Sequence, residues 1–333
     1  MNFTYTDNPG YIDLVVGVYQ GMSWYYRADN WDNYTFPQSF FDDFRKYYFF
    51  KLEESYPILF LAIIFTLIRY AFERVICQPL VSYLKVDDKS DREKFPESCW
   101  KFIAYSFLWG YTCYLLIFDG RFNYFTDTDL IWDDWTIGVT VPDEIRLIYF
   151  VECGFYLHSI YATIYMDAWR KDFYVMLLHH VLTLTLLVVS YATRYHKIGI
   201  MVLFVHDVTD ILLEFTKCNV YLKKRNNKFY PLHETISNYG FAAFTIAWFV
   251  FRLYWYPLKI LYATGVVSVH RAYHRGAGLY GFFNSLLLIL LMLNIYWFYF
   301  VLLFLYKVAT GQLKEISDTR DIEEEKEKLK KSD

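Results

Sequence analysis

The chain alternates between long apolar stretches and short polar ones. Seven apolar stretches stand out, at about 57–77, 99–118, 145–166, 173–193, 198–221, 239–262 and 279–306. Each approaches the roughly 20 residues that a helix needs to cross hydrocarbon. Within each, apolar residues run continuously instead of alternating, which excludes a closed transmembrane β-barrel. The pattern predicts an all-α polytopic membrane protein with about seven transmembrane helices. The third, fifth and sixth stretches carry ionisable residues, which blurs their limits.

Two polar clusters interrupt this pattern. His179 and His180 sit side by side in the leucine-rich fourth stretch, and His206-Asp207-Val208-Thr209-Asp210 opens the middle of the fifth. An ionisable group in hydrocarbon costs about 2.5–3.5 kcal/mol on insertion scales, so such groups pair, line a cavity or do chemistry. At about 100° per residue, His206, Asp207, Asp210, Glu214 and Lys217 fall within one arc of about 100° on a helix. That arc is an inward stripe on a helix whose remaining surface is Ile, Val, Leu and Phe. The spacings i, i+3 and i, i+4 let Asp207–Asp210, His206–Asp210, Asp210–Glu214 and Glu214–Lys217 touch, with Glu214 and Lys217 expected to pair. His179 and His180 diverge by about 100°, so one can face a cavity while the other meets a neighbouring helix. The fourth and fifth stretches are joined by about five residues and form an antiparallel hairpin. The histidines then lie about 11 Å from one membrane face and the aspartates about 17–21 Å from the same face, so the clusters can share one chamber.

Charge sets the orientation. Lys85, Lys89, Arg92 and Lys94 follow the first stretch, Arg170 and Lys171 the third, and Lys223, Lys224, Arg225 and Lys228 the fifth. The loop 119–144 is acidic, with Asp119, Asp127, Asp129, Asp133 and Asp134. The positive-inside rule puts the basic loops and the C-terminus in the cytosol and the N-terminus in the lumen. Arg194, Lys197, Arg271 and Arg275 run against this rule. The net charge of −3 is too small to suggest a nucleic-acid partner. The five cysteines (Cys77, Cys99, Cys113, Cys153, Cys218) are scattered, with neither a disulfide framework nor a zinc-finger spacing. The first 50 residues hold no signal-peptide pattern, so the first stretch is read as a signal anchor. Sequons at Asn2 and Asn33 are glycosylation acceptors if that segment is lumenal. Lys330 and Lys331 stand third and fourth from the end, where a di-lysine signal for retrieval to the endoplasmic reticulum is read. The same pattern fits a charged solvated tail.

The runs His158-Ser159-Ile160-Tyr161-Ala162-Thr163, Met166-Asp167-Ala168-Trp169-Arg170-Lys171-Asp172, Met176-Leu177-Leu178-His179-His180 and His206-Asp207-Val208-Thr209-Asp210 resemble the Lag1p motif of the ceramide synthase family. Arg194 to Gly199, Ile211 to Lys217 and Trp248 to Lys259 share that resemblance. It covers about 95–312 and implies a TRAM-Lag-CLN8 domain. It divides the chain into a lumenal segment (1–56), an anchor (57–78), a cytosolic linker (79–98), the six-helix catalytic domain (95–312) and a charged cytosolic tail (313–333). The linker is too short for the homeobox-like segment of many relatives, which brings the chain nearest to the branch that lacks it.

The resemblance implies an N-acyltransferase of the endoplasmic reticulum that moves a fatty acyl group from acyl-CoA, stearoyl-CoA being the suggested donor, to sphinganine or sphingosine. It maps the functional residues onto His179, His180, Asp207 and Asp210; the stripe on the fifth stretch adds His206, Glu214 and Lys217 as supporting residues. It ties acyl-length selection to 264–278, and a homo- or hetero-dimer and membrane lipids complete the partners. In the favoured chemistry His179 attacks the thioester, the sphingoid amine loses its proton to His180 or to Asp207 through a neighbour, and the aspartates orient the imidazoles. A histidine acting only as general base is the other version. Arg252 and Lys259 are candidates to reach CoA phosphates, or else snorkel to an interface. No cofactor is expected. Three histidines and two aspartates are zinc-ligand types, but adjacent histidines serve one ion poorly, so no metal site is assigned. A zinc-dependent intramembrane amidase and a non-enzymatic lipid-binding or trafficking protein are the alternatives.

Overall fold

The computed structural model describes residues 5–27, 38–272 and 278–312. Asn2, Asn33, Lys330 and Lys331 lie outside them. Two helices, α1 (Tyr11–Arg27) and α2 (Gln38–Tyr47), precede seven long ones. These are α3 (Leu52–Leu84), α4 (Lys89–Phe118), α5 (Asp143–Tyr165), α6 (Phe173–Ala192), α7 (His196–Leu222), α8 (Pro231–Arg271) and α9 (Tyr280–Ala309). All but α7 are long and apolar enough to cross a membrane; α7 is as long but carries the ionisable stripe. Its charges are tolerated because it is the central helix, packed against α4, α6 and α8 with most of its residues buried. Meanwhile α3 packs on α5, and α5 on α6. The molecule is a multi-pass membrane protein built on this bundle.

Several helices outrun their apolar stretches. The segment 79–98, read as a linker, is mostly helix: α3 continues to Leu84 and α4 starts at Lys89, where Asp88 Oδ1 caps the N–H groups of Ser90 and Asp91. In α8 the residues Trp248–Leu261 are wound as a π-helix around Pro257, and such wide turns recur at functional sites. Pro257 has no N–H to give, and the carbonyl of Leu253, four residues back, instead accepts from Tyr11 Oη at 2.8 Å. The all-α expectation misses one small feature. Strands β1 (Lys224–Arg225) and β2 (Lys228–Phe229) form a hairpin. Its turn residues Asn226 and Asn227 both have positive φ, which asparagine tolerates. The hairpin is tied to the α3–α4 junction by the Val86–Arg225 bridge and by Asp87, which accepts from Asn227 N at 3.0 Å.

The two ends of the bundle differ in charge. The junctions 85–88, 166–172 and 223–230, the last of them strongly basic, stand opposite the acidic segment 119–142. Arg271 and Lys197, which run against the charge rule, sit at the acidic end and are neutralised there. Arg271 pairs with Asp129 and, at 2.5 Å, with Asp133; Lys197 pairs with Asp134. Arg194 donates to Phe49 O at 3.1 Å and lies over the Tyr191 ring. The crossing of α5 and α7 is close, because Gly199 sits against the Tyr149 hydroxyl, which bonds Ser190 Oγ and His196 O at 3.2 and 3.0 Å. Any Cβ at 199 collides with that hydroxyl.

Candidate active site

Helices α6, α7, α8 and α9 bring the two polar clusters into one buried region, as their depths suggested. His206 is bonded on both ring nitrogens: Nδ1 faces Val202 O at 2.8 Å and Nε2 faces Asn294 Nδ2 at 3.1 Å. A carbonyl only accepts, so Nδ1 carries the proton and Nε2 accepts from the asparagine. A neutral imidazole with both positions occupied is a brace, not a nucleophile. Its ring also stands edge-on to Tyr256 at 5.0 Å.

His179 is placed differently. Its ring lines a cavity and meets Trp297 edge-on at 5.3 Å, while its Nδ1 is buried with no hydrogen-bond partner. Asn294 and Trp297 lie one turn apart on α9, so this helix links the cluster of α7 to that of α6. Trp248 extends the link, donating from Nε1 to Asn294 O at 3.2 Å. His180 turns the other way, toward Tyr156 of α5 at 6.0 Å. The expected divergence of the pair is what the structure has.

The inward stripe of α7 is split among three neighbours. Asp210 Oδ1 accepts from Arg252 Nη2 at 2.8 Å, and the same nitrogen donates to His206 O at 2.9 Å. The guanidinium lies 4.1 Å from the Trp248 ring. Asp207 is fully buried, with the equally buried Glu152 carboxyl of α5 beside it. None of the four oxygens of this pair receives a donor from the protein. Glu214 and Lys217 pair at 2.7 Å, as expected.

Three expectations need correction. No hydrogen bond joins Asp207 or Asp210 to His179 or His180, because the helix geometry hands Asp210 to Arg252 and Asp207 to Glu152. Arg252 neither snorkels nor reaches outward; it is the buried counter-charge of Asp210. Lys259 lies toward the acidic end, where it donates to Phe125 O at 2.7 Å, at the opposite end from the basic junction 223–230. Sequence reasoning did not single out Glu152. The signal available was a lone carboxylate in an apolar span, and its meaning depends on a partner 55 residues away.

A second buried network closes the basic end. Arg69 pairs with Glu73 and Asp167 at 2.7 and 2.6 Å, and Lys101 with Asp167 and Glu97, both at 2.7 Å. Arg170, read from the sequence as a charge that sets orientation, pairs with Glu97 at 2.9 Å. Burial alone raises the Asp167 carboxyl, but Lys101 and Arg69 outweigh it and hold that carboxyl well below the ordinary range. Among the described residues, no three His, Cys, Asp or Glu side chains converge as a metal-ligand group.

The cavity beginning at His179 spans about 930 Å³, part of it open to its surroundings, and runs between α6, α7 and α9 to the acidic end. Leu186, Leu187, Leu203, Leu287 and Leu290 make its wall apolar. A buried imidazole at the head of an apolar tunnel suits a reaction on a long-chain acyl group.

Comparison with known proteins bears on this site. The TLC domain family matches residues 94–303, which span α4 to α9. The chain is 49% identical to ceramide synthase 1 of Homo sapiens over 231 residues, 69% of this chain and 65% of that protein. It is 44% identical to ceramide synthase 1 of Mus musculus over 269 residues, covering 80% of this chain and 76% of the relative. A ceramide synthase of Arabidopsis thaliana is 30% identical over 304 residues, 80% of this chain and 92% of the relative. The match thus spans just under two thirds of the human relative's length and about three quarters of the mouse one. The chain belongs to the ceramide synthase family of TLC-domain proteins.

Proposed function

We propose that the protein is a sphingoid base N-acyltransferase that makes ceramide from an acyl-CoA and a long-chain amine such as sphinganine. The observation that carries this reading is the cavity-facing imidazole of His179 at the head of an apolar tunnel. In the first half-reaction a ring nitrogen of His179 attacks the thioester carbonyl. The C–N bond forms, the C–S bond breaks, and CoA leaves as the thiol with the imidazole proton. In the second, the amine attacks the acyl-imidazole carbonyl; the amide forms, the C–N bond to His179 breaks, and the imidazole leaves with one amine proton, which replaces the one that left with CoA. Splitting one step in two is the advantage of nucleophilic catalysis.

The amine must shed a proton during the second half-reaction. His180 and, beyond Tyr156, the Glu152–Asp207 pair are the acceptors grouped on that side. Arg252 and Asp210 hold α7 and α8 in register, and His206 with Asn294 fixes α9, so these residues position the chamber. The basic end faces the cytosol, where acyl-CoA is available, and the endoplasmic reticulum is the compartment in which the protein works.

Purified protein given an acyl-CoA and sphinganine is expected to release CoA and form N-acylsphinganine, with His179→Ala and Asp207→Ala both inactive. Variants that acylate sphinganine like the parent would overturn the site assignment.

A further inference from the structure

The tunnel does not end within the TLC-matched segment. Its far end is lined by Trp132, Tyr195, Gly278 and Tyr280, and by Tyr25, which lies on α1 outside residues 94–303. Tyr25 stacks on Tyr280 with centroids 4.8 Å apart and planes at 24°. The stack is anchored on both sides. Tyr280 Oη donates to Gly265 O at 2.6 Å, and Tyr195 Oη donates to Gly278 O at 2.9 Å while stacking on Trp135 at 5.1 Å.

Helix α1 is seated closely enough to be part of the wall. A Cβ at Gly21 would stand 2.6 Å from Gly265 O, and one at Gly265 would stand 2.8 Å from Val18 Cγ2. The two backbones touch only because both positions are glycine. Tyr11 Oη on Leu253 O ties down the other end of α1.

We propose that the Tyr25–Tyr280 stack is the floor of the acyl tunnel, so that α1, a helix outside the TLC domain, sets the longest fatty acid accepted. This inference rests on the acyltransferase reading above. The occupant is the acyl chain because its carbonyl carbon is bonded to His179 at the tunnel head. A saturated zigzag with bonds near 1.52 Å and angles near 111° advances about 1.25 Å per carbon. The cavity follows α6 for about 17 Å from His179 to Ser190 and α9 for about 15 Å from Leu290 to Tyr280, at 1.5 Å per residue. That length takes roughly 12–14 carbons, while an 18-carbon chain needs about 21 Å. A fully extended chain therefore reaches the stacked rings at roughly 14 carbons, and an 18-carbon chain overruns them by about 4 Å. Removing one ring of a stack spaced at 4.8 Å makes room for up to about four more carbons.

The test uses full-length purified protein, sphinganine and a panel of saturated acyl-CoAs from about 14 to about 26 carbons, reading kcat/KM at each length. Tyr25→Ala is expected to move the optimum about two to four carbons longer. Each methylene newly accommodated is worth roughly a factor of four, so two change the long-to-short ratio about 15-fold. Tyr25→Trp, which fills more of the floor, is expected to move the optimum shorter. Opposite shifts support the floor. An optimum that stays put in both variants, at whatever absolute rate, overturns it. A parent protein that makes no ceramide from any acyl-CoA overturns the acyltransferase reading instead.

Discussion

Replacing Arg252 with alanine tests whether the α7–α8 contact is an electrostatic joint. The guanidinium is 3% exposed and the Asp210 side chain 20%, with their atoms 2.8 Å apart. The substitution strands Asp210 without its donor, leaves the His206 carbonyl with Thr209 Oγ1 as its side-chain donor, and removes the cation from the Trp248 face. Breaking a buried pair from one side costs about 3–5 kcal/mol, because the remaining charge is left uncompensated. For a protein of this size that is a fall in Tm on the order of 10 °C. Removing both charges differs. Arg252→Met with Asp210→Leu leaves no orphan charge, and apolar replacements of a buried pair are often near neutral. The double variant is therefore expected to recover most of the loss, with a coupling energy of about 3 kcal/mol in the cycle. The assay is thermal unfolding of detergent-purified protein, with sphinganine acylation read in parallel. If Arg252→Ala melts with the parent, or the double variant is as unstable as the sum of the singles, the joint is not what the geometry describes.

The Glu152–Asp207 pair behaves as a functional cost, since four buried oxygens lack donors. Glu152→Leu is expected to hold or raise stability, by about 1–3 kcal/mol, while lowering turnover about 100-fold; loss of stability at full turnover would make the pair structural. Asn294→Leu removes the donor to His206 Nε2, with an expected loss of about 1–3 kcal/mol; an unchanged melting point would show that the bond contributes nothing. Asp167 is held below the ordinary carboxylate range when folded, so its stabilisation is complete above the unfolded value of about 3.9 and is lost as pH falls through the folded one. Asp167→Asn should thus melt lower than the parent by the same margin at pH 7 and pH 5, the margin shrinking only below about pH 4; a margin that shrinks between pH 7 and pH 5 contradicts the network.

Much of this was legible in the sequence. Seven apolar stretches returned as α3 to α9, and the polar stripe of α7 returned as the buried centre of the bundle. Period alone was enough there, because lipid-facing residues and an inward charge stripe impose a regular spacing. Partner choice was not legible. An arc of about 100° on one helix reads as one face, yet three neighbours divide it: α5 takes Asp207, α8 takes Asp210, and α9 takes His206. Glu152 and Arg252 acquire meaning only when α5 and α8 are placed beside α7. The same holds for Lys259, whose position depends on the segment carrying Phe125 folding back over the acidic end. The aspartates were expected to orient His179 and His180, an expectation built on residue type, and the register of α6 against α7 decided otherwise.

The central claim is that His179 carries the acyl group. Incubating purified protein with an acyl-CoA alone, without an amine, and mapping the adduct by mass spectrometry tests it most directly. The account predicts one acyl mass on the peptide at His179, retained in His180→Ala, absent in His179→Ala and discharged when sphinganine is added. An adduct confined to His180, or catalysis of sphinganine acylation with no adduct on either histidine, would contradict it.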